Sequence, residues 1–210
     1  MGARLLKIFH IPDFRAVRVI WLMEELGEPY EVEVVEYPLT EDFRKSGGTG
    51  TVPMIVDGDI AMGESIAILQ YLTGRRIQKS LELGLTVGPG PDPAAYAEHL
   101  QFLHLGEASL MTPLTLIAIT RNLAPDGQKS NLTTERCERN VTNRMAVVER
   151  RLADGRPWLT GERFTIADIS VGYALYYARR RELGALIPPL AAAYLDRLQA
   201  RPALQRALSA

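Results

Sequence analysis

The feature that most constrains this chain is a change of pattern along its length. Up to residue 62, short apolar or alternating runs recur between stretches with helical spacing. Beyond residue 93 every patterned segment is helical. Between them, Lys79–Pro93 holds Gly84, Gly88, Pro89, Gly90, Pro91 and Pro93, the composition of a linker. This predicts a mixed strand–helix domain over 1–78, a linker over 79–93 and an all-helical domain over 94–210.

The first part reads as strand–helix–strand, then a hairpin, then a helix. Leu5–Phe9 is short and apolar, a buried strand. Phe14 to Leu26 is helical, with Phe14, Val17 and Trp21 on one side and Arg15, Arg18 and Glu25 on another. Gly27 supplies the left-handed residue that ends a helix. Glu31–Val34 alternates, as in a strand with one wet face. Ser46-Gly47-Gly48-Thr49-Gly50 is a loop. Val52–Val56 and Asp59–Met62 flank Asp57-Gly58, a favoured hairpin turn. Gly63-Glu64-Ser65 then opens a helix through Leu72, on Ile66, Leu69 and Leu72.

In the second part, Ala94–Thr120 is long and apolar, with Pro113 placed to kink it. Thr133–Leu152 carries Cys137, Val141, Met145, Val148 and Leu152 on one face, which makes Cys137 a buried hydrophobe. Thr165–Arg181 is a helix, and Pro188 onward holds one or two short ones. Thr165-Ile166-Ala167-Asp168 is a capping-box variant with Phe164 and Ile169 as its hydrophobic staple. It is a folding device rather than a catalytic pair.

Composition excludes several classes. With 24 Lys+Arg against 25 Asp+Glu the net charge is −1, which asks for neither nucleic acid nor an anionic membrane. Of the 210 residues 47% are hydrophobic and 23% charged, as in a globular protein. No stretch approaches the ~20 apolar residues of a membrane helix, and Met1–His10 lacks the core of a signal peptide. The single cysteine excludes an internal disulfide framework and a thiolate zinc site. His99 and His104, five apart on a helix, do not share a face, so no metal is expected. The expectation is a cytoplasmic protein.

The pieces in this order resemble cytosolic glutathione S-transferases. The matching segments are Arg18–Gly27, Thr51-Val52-Pro53-Met54 and Gly63–Leu72, then Phe102–Met111 and Phe164–Asp168. The last two are similar to a bacterial and fungal subgroup. The resemblance spans nearly the whole chain. It implies a thioredoxin-like N-terminal domain (βαβαββα), a C-terminal helical bundle and a homodimer, with glutathione as substrate.

It also implies a set of site residues. Val52-Pro53 corresponds to the family's cis-proline segment, where the Val52 backbone holds the cysteinyl part of glutathione. Glu64-Ser65 at a helix start suits the zwitterionic γ-glutamyl head: the helix end and hydroxyl for the carboxylate, Glu64 for the ammonium. Arg44-Lys45 reads as a solvated surface pair.

At the catalytic position the sequence departs from the family. A free thiol has a pKa of about 8.5, and lowering it by ~2 units takes about 2.7 kcal/mol. The family obtains this from a Tyr, Ser or Cys near the end of the first strand. Phe9-His10-Ile11-Pro12-Asp13-Phe14-Arg15-Ala16-Val17 contains none of these. Three readings stay open: Arg15 stabilises the thiolate, backbone N–H groups of residues 11–15 form an anion nest, or the thiol is not activated. His10 is a further candidate, as general base.

The second substrate is expected to meet Phe14, Tyr96, Leu103, His104, Glu107 and Met111, in an apolar pocket between domains. The resulting reading is a transferase joining glutathione to a small apolar electrophile. The alternatives are a non-catalytic glutathione-binding protein of the same fold and a glutathione-dependent isomerase or lyase.

Overall fold

The computed structural model describes residues 5–90 and 92–210. The reading of residues 1–4 as free of a signal peptide, and Pro91 of the Gly/Pro stretch, lie outside the described residues. In chain order the elements are β1 (Leu6–His10), α1 (Ala16–Leu26), β2 (Tyr30–Val34), α2 (Glu41–Lys45), β3 (Met54–Asp57), β4 (Ile60–Met62), α3 (Ser65–Arg75) and α4 (Ile77–Glu82). There follow α5 (Pro93–His104), a π-helical turn (Leu105–Met111), α6 (Thr112–Leu123), α7 (Leu132–Leu152), α8 (Ile166–Arg180), a 3₁₀ turn (Gly184–Leu186), α9 (Pro189–Gln199) and α10 (Pro202–Leu208). The order up to α3 is the βαβαββα of a thioredoxin-like unit.

The chain forms two compact units. The first holds the residues up to Leu85 together with Gln199–Ala210, the second Thr86–Leu198. Two sequence boundaries therefore move. The stretch from Lys79 is no plain linker, because α4 occupies its start. The helical part also does not run on to Ala210. Its last helix, α10, packs on α1 through Ala203, Leu204 and Ala207.

In the first unit the sheet order is β2-β1-β3-β4. β1 runs parallel to β2 and antiparallel to β3. Leu6, Ile8 and His10 point to the buried face, as strand alternation requires. β2 is an edge strand and correspondingly wet, with Val34 59% exposed. The hairpin turn is shifted by one residue. Asp57 pairs with Ile60, so Gly58 and Asp59 form the loop, with Gly58 at φ 64°.

α1 buries nine of its 11 residues, Arg18 among them. The sequence placed Arg18 on a polar face. No such face exists here, because β1, α3 and α10 all pack on this helix. Gly27 ends it at φ 60°, as expected.

In the second unit α8 is central, with 11 of 15 residues buried. Thr165 caps it, and Asp168 reaches back to the Thr165 N–H at 2.8 Å. Residues 93–123 form one helical run of 31 residues with a mean hydropathy of 1.4 over its most apolar window. This overturns the expectation that no stretch reaches membrane-helix length and apolarity. In the structure the run packs on α7 and α8 and buries Phe102, Leu103, Leu110, Met111, Leu114 and Ile117.

The π-helical turn sits immediately before Pro113. Proline offers no N–H, and its ring collides with the carbonyl four residues back. A wider turn relieves both problems without ending the helix. Near its start Gly106 meets α8 so closely that a Cβ would lie 2.5 Å from the Ser170 carbonyl carbon. Ser170 in turn donates to the Leu103 carbonyl at 2.7 Å.

Candidate functional site

Strand register orders the candidate residues of the first unit. β3 and β4 pair from Asp57–Ile60 to Ile55–Met62, so Val52-Pro53, just before β3, and Glu64-Ser65, just after β4, both lie in chain order beyond the open end of the hairpin. Pairing of Phe9 with Met54 brings the end of β1, and hence residues 11–15, to the same end of the sheet. Val52 lies beyond the last residue that β3 pairs with β1, and the Val52–Pro53 bond is cis. A second cis bond, Tyr37–Pro38, had no counterpart in the sequence reading.

Two glycines bring the loop against the start of α3. Gly48, at φ 56°, lies so close to the Gly63 backbone nitrogen that a Cβ would stand 2.9 Å from it. A Cβ on Gly63 would stand 2.3 Å from Thr49 Oγ1. The loop before Val52 therefore lies directly on the residue before Glu64.

Glu64 is exposed and adopts φ 65°, ψ 100°. A side chain with a Cβ rarely holds that conformation, at a cost on the order of 1–3 kcal/mol. No side chain caps α3. Its first N–H groups, at the positive end of the helix, come three residues after the end of β4. Ser65, the first residue of α3, is 3% exposed, and Arg18 Nη1 donates to its Oγ at 3.0 Å. The sequence reading missed Arg18. The signal was present: Arg18 is the only polar residue from Ala16 through Met23, so that stretch has no wet side.

The remaining candidates fall as follows. Arg15 is half-buried at the N-cap of α1. Asp13 beside it has φ 65°. Of the residue 11–15 amides, the Phe14 N–H is taken by the Ile11 carbonyl at 3.0 Å. Phe14 is half-buried against Tyr37, ring centroids 6.0 Å apart. His10 is buried on the core face of β1, and its Nδ1 has no partner. Burial pushes its imidazole below the usual histidine range, against the pull of the Ala210 backbone and the Asp13 charge. Lys45 is exposed and pairs with Glu41 at 2.5 Å, as a solvated surface charge does.

In the second unit, Leu103 and Met111 are fully buried, Tyr96 and Glu107 half-buried and His104 exposed. Cys137 is a buried free thiol on the apolar face of α7. Among the described residues no three His, Cys, Asp or Glu side chains are grouped to hold a metal ion.

Chemically, uncapped amides at the start of α3 favour a negative charge, Glu64 is an exposed carboxylate beside them, and Arg15 places a cation at the start of α1.

Comparison with known proteins agrees in both halves. Residues 15–75 match the family model for the glutathione S-transferase N-terminal domain, and residues 133–208 that for the C-terminal domain. Glutathione S-transferase 3 of Schizosaccharomyces pombe is 26% identical over 195 residues, covering 84% of this chain and 75% of that protein. Glutathione S-transferase 3 of Zea mays is 27% identical over 216 residues, covering 98% and 94%. A glutathione transferase family member from Pseudomonas fluorescens pf-5, solved with two glutathione bound, gives a TM-score of 0.85 at 26% identity over 99% of this chain and 94% of that one. One from Burkholderia graminis, with two glutathione molecules bound per subunit, gives 0.84 at 25% identity over 98% and 88%.

Proposed function

This chain belongs to the glutathione S-transferase family, and from that premise we propose that it binds glutathione at the open end of its four-stranded sheet and conjugates the thiol to a small apolar electrophile. The observation that carries the binding step is the start of α3. Its amides lack a side-chain cap, the Ser65 hydroxyl stands among them and Glu64 lies beside them. The helix end takes the γ-glutamyl carboxylate, Glu64 takes the ammonium, and the Val52 backbone takes the cysteinyl residue. Bound this way, the sulfur lies toward residues 11–15.

Activation of the sulfur falls to Arg15 and the N-terminus of α1. A guanidinium stays protonated at any working pH and supplies fixed donors, so it favours thiolate over thiol. His10 takes no part in this reading, because its imidazole is buried among core side chains. A homodimer in the cytoplasm belongs to the same proposal; sedimentation and cell fractionation test it.

A second reading is a glutathione-binding protein without thiol activation. It draws on the absence of Tyr, Ser and Cys from residues 9–17. Ultraviolet titration of the bound thiolate separates the two. Activation predicts an apparent thiol pKa well below the free value of about 8.5. Arg15→Ala should return it upward with glutathione affinity kept within a few-fold. A bound thiol still titrating near the free value would leave binding alone.

A further inference from the structure

Among the described residues Arg18 is the only lysine or arginine that is fully buried. It stands on α1 within a segment that is otherwise apolar from Ala16 to Met23. A leucine or methionine would fill the same space without the cost of desolvating a guanidinium. The fold keeps the charge nevertheless, and Nη1 is directed at Ser65 Oγ, 47 residues away, at 3.0 Å.

The polarity of this contact is settled by chemistry. A guanidinium has donors and no acceptor. In the Arg18 contact Ser65 Oγ must therefore accept, through a lone pair. The hydroxyl hydrogen is left to point elsewhere, and Ser65 can serve its remaining partner as a donor. Without Arg18, a hydroxyl at this position is free to rotate and to accept from a neighbouring N–H as readily as it donates. With it, one lone pair is occupied by a cation that polarises the hydroxyl, which biases its remaining capacity toward donation.

We propose that Arg18 is a positioning residue for ligand recognition: from inside the first unit it fixes the Ser65 hydroxyl as a donor at the start of α3, so that the subsite selects an ionised carboxylate over a neutral group of the same shape. The inference rests on the reading of Ser65 as the γ-glutamyl subsite and goes beyond it. The ligand is discriminated by a side chain that never touches it. A subsite made of amides and a freely rotating hydroxyl would tolerate an amide or a missing carboxylate far better.

The test is calorimetric binding of two probes, glutathione and γ-aminobutyryl-cysteinyl-glycine, which lacks the α-carboxylate. Four forms are compared: wild type, Arg18→Met, Ser65→Ala and the double variant. A charge-assisted bond that loses its support predicts about tenfold weaker glutathione binding in Arg18→Met. The carboxylate-free probe should bind wild type and Arg18→Met alike. In the Ser65→Ala background, Arg18→Met should cause no further loss. Arg18→Lys, which keeps a charged donor, should recover most of the affinity. Where Arg18→Met does not fold, Arg18→Gln against Arg18→Lys reads the same difference.

Equal losses for both probes would reveal a merely structural role and overturn the proposal. So would additive losses in the double variant, or glutathione affinity unchanged in a folded Arg18→Met. Weakening by Ser65→Ala alongside an indifferent Arg18→Met sinks only the role of Arg18. Wild-type affinity in Ser65→Ala, or no glutathione binding at all, sinks the subsite reading and this inference with it.

Discussion

Two histidines are buried in this protein without a partner on Nδ1: His10 in the first unit and His99 on α5. Desolvation disfavours the imidazolium, so the His99 pKa falls to about 4 and that of His10 falls in the same direction. An unfolded histidine titrates near 6.5. Between those values the unfolded chain binds the proton and the native one does not. Stability is therefore fully present above about pH 6.5 and is lost as pH falls toward about 4. For His99 alone the loss is on the order of 3 kcal/mol across that window. Urea unfolding of wild type and His99→Leu from pH 7.5 to 4 checks it, and the variant should show the shallower decline. Equal slopes would mean that His99 is not neutral in the fold. Asp168 presents the opposite balance. Burial pushes its carboxyl up, while four donors, from Leu159, Thr165 twice and Tyr194, favour the carboxylate. Its bond to Thr165 was legible from the Thr165–Asp168 spacing. Its bonds to Tyr194 and Leu159 were not, because they join residues 26 and 9 apart with no local pattern between them.

At the scale of elements, the run from α5 through the π turn to α6 explains a motif that the sequence offered only as a likeness. Within Phe102–Met111, Gly106 lies against the Ser170 backbone, and Leu103 lends Ser170 its carbonyl. The residue is needed for closeness of approach, not for an unusual backbone angle. Helix propensity alone favours Gly→Ala by about 1 kcal/mol. Overpacking against a backbone costs about 1–3 kcal/mol. Gly106→Ala should therefore lower stability to denaturant, despite its better intrinsic propensity. A gain would show that the two helices separate easily. Other elements were plain in the sequence. The apolar face of α7, from Cys137 to Leu152, is the buried face, and Gly27 and Thr165 stand at the ends they signal. Such features depend on neighbours within one or two turns.

For the whole molecule, the telling element is α10. It follows the helical half in sequence and belongs to the first unit in space. Arg201 grips Glu25 with two bonds of 2.7 Å, and Arg206 binds Glu24, which also accepts from Tyr30. Glu25 holds the Trp21 indole N–H as well, so α10 is joined to the helix that carries Arg15 and Arg18. Removing a partner from a largely enclosed bidentate pair costs about 1–3 kcal/mol. Arg201→Ala should accordingly raise hydrogen exchange in α1 and β1 while leaving α7 and α8 protected. Equal loosening of all four elements would contradict the assignment of α10 to the first unit.

The sequence by itself determined the order of the strands and the longer helices, the helix ends at Gly27 and Thr165, the hairpin to within one residue, and that Val52-Pro53 stands at a strand start and Glu64-Ser65 at a helix start. Each of these is written in short-range spacing, because periodicity, turn chemistry and capping act over a few residues. Only the tertiary structure decided that Arg18 is buried with its guanidinium on Ser65, that α10 returns to the first unit, and that the long apolar run of residues 93–123 packs on α7 and α8. Those outcomes depend on which surfaces meet across tens of residues, and a charge or a helix carries no mark of its distant neighbour until the chain has folded around it.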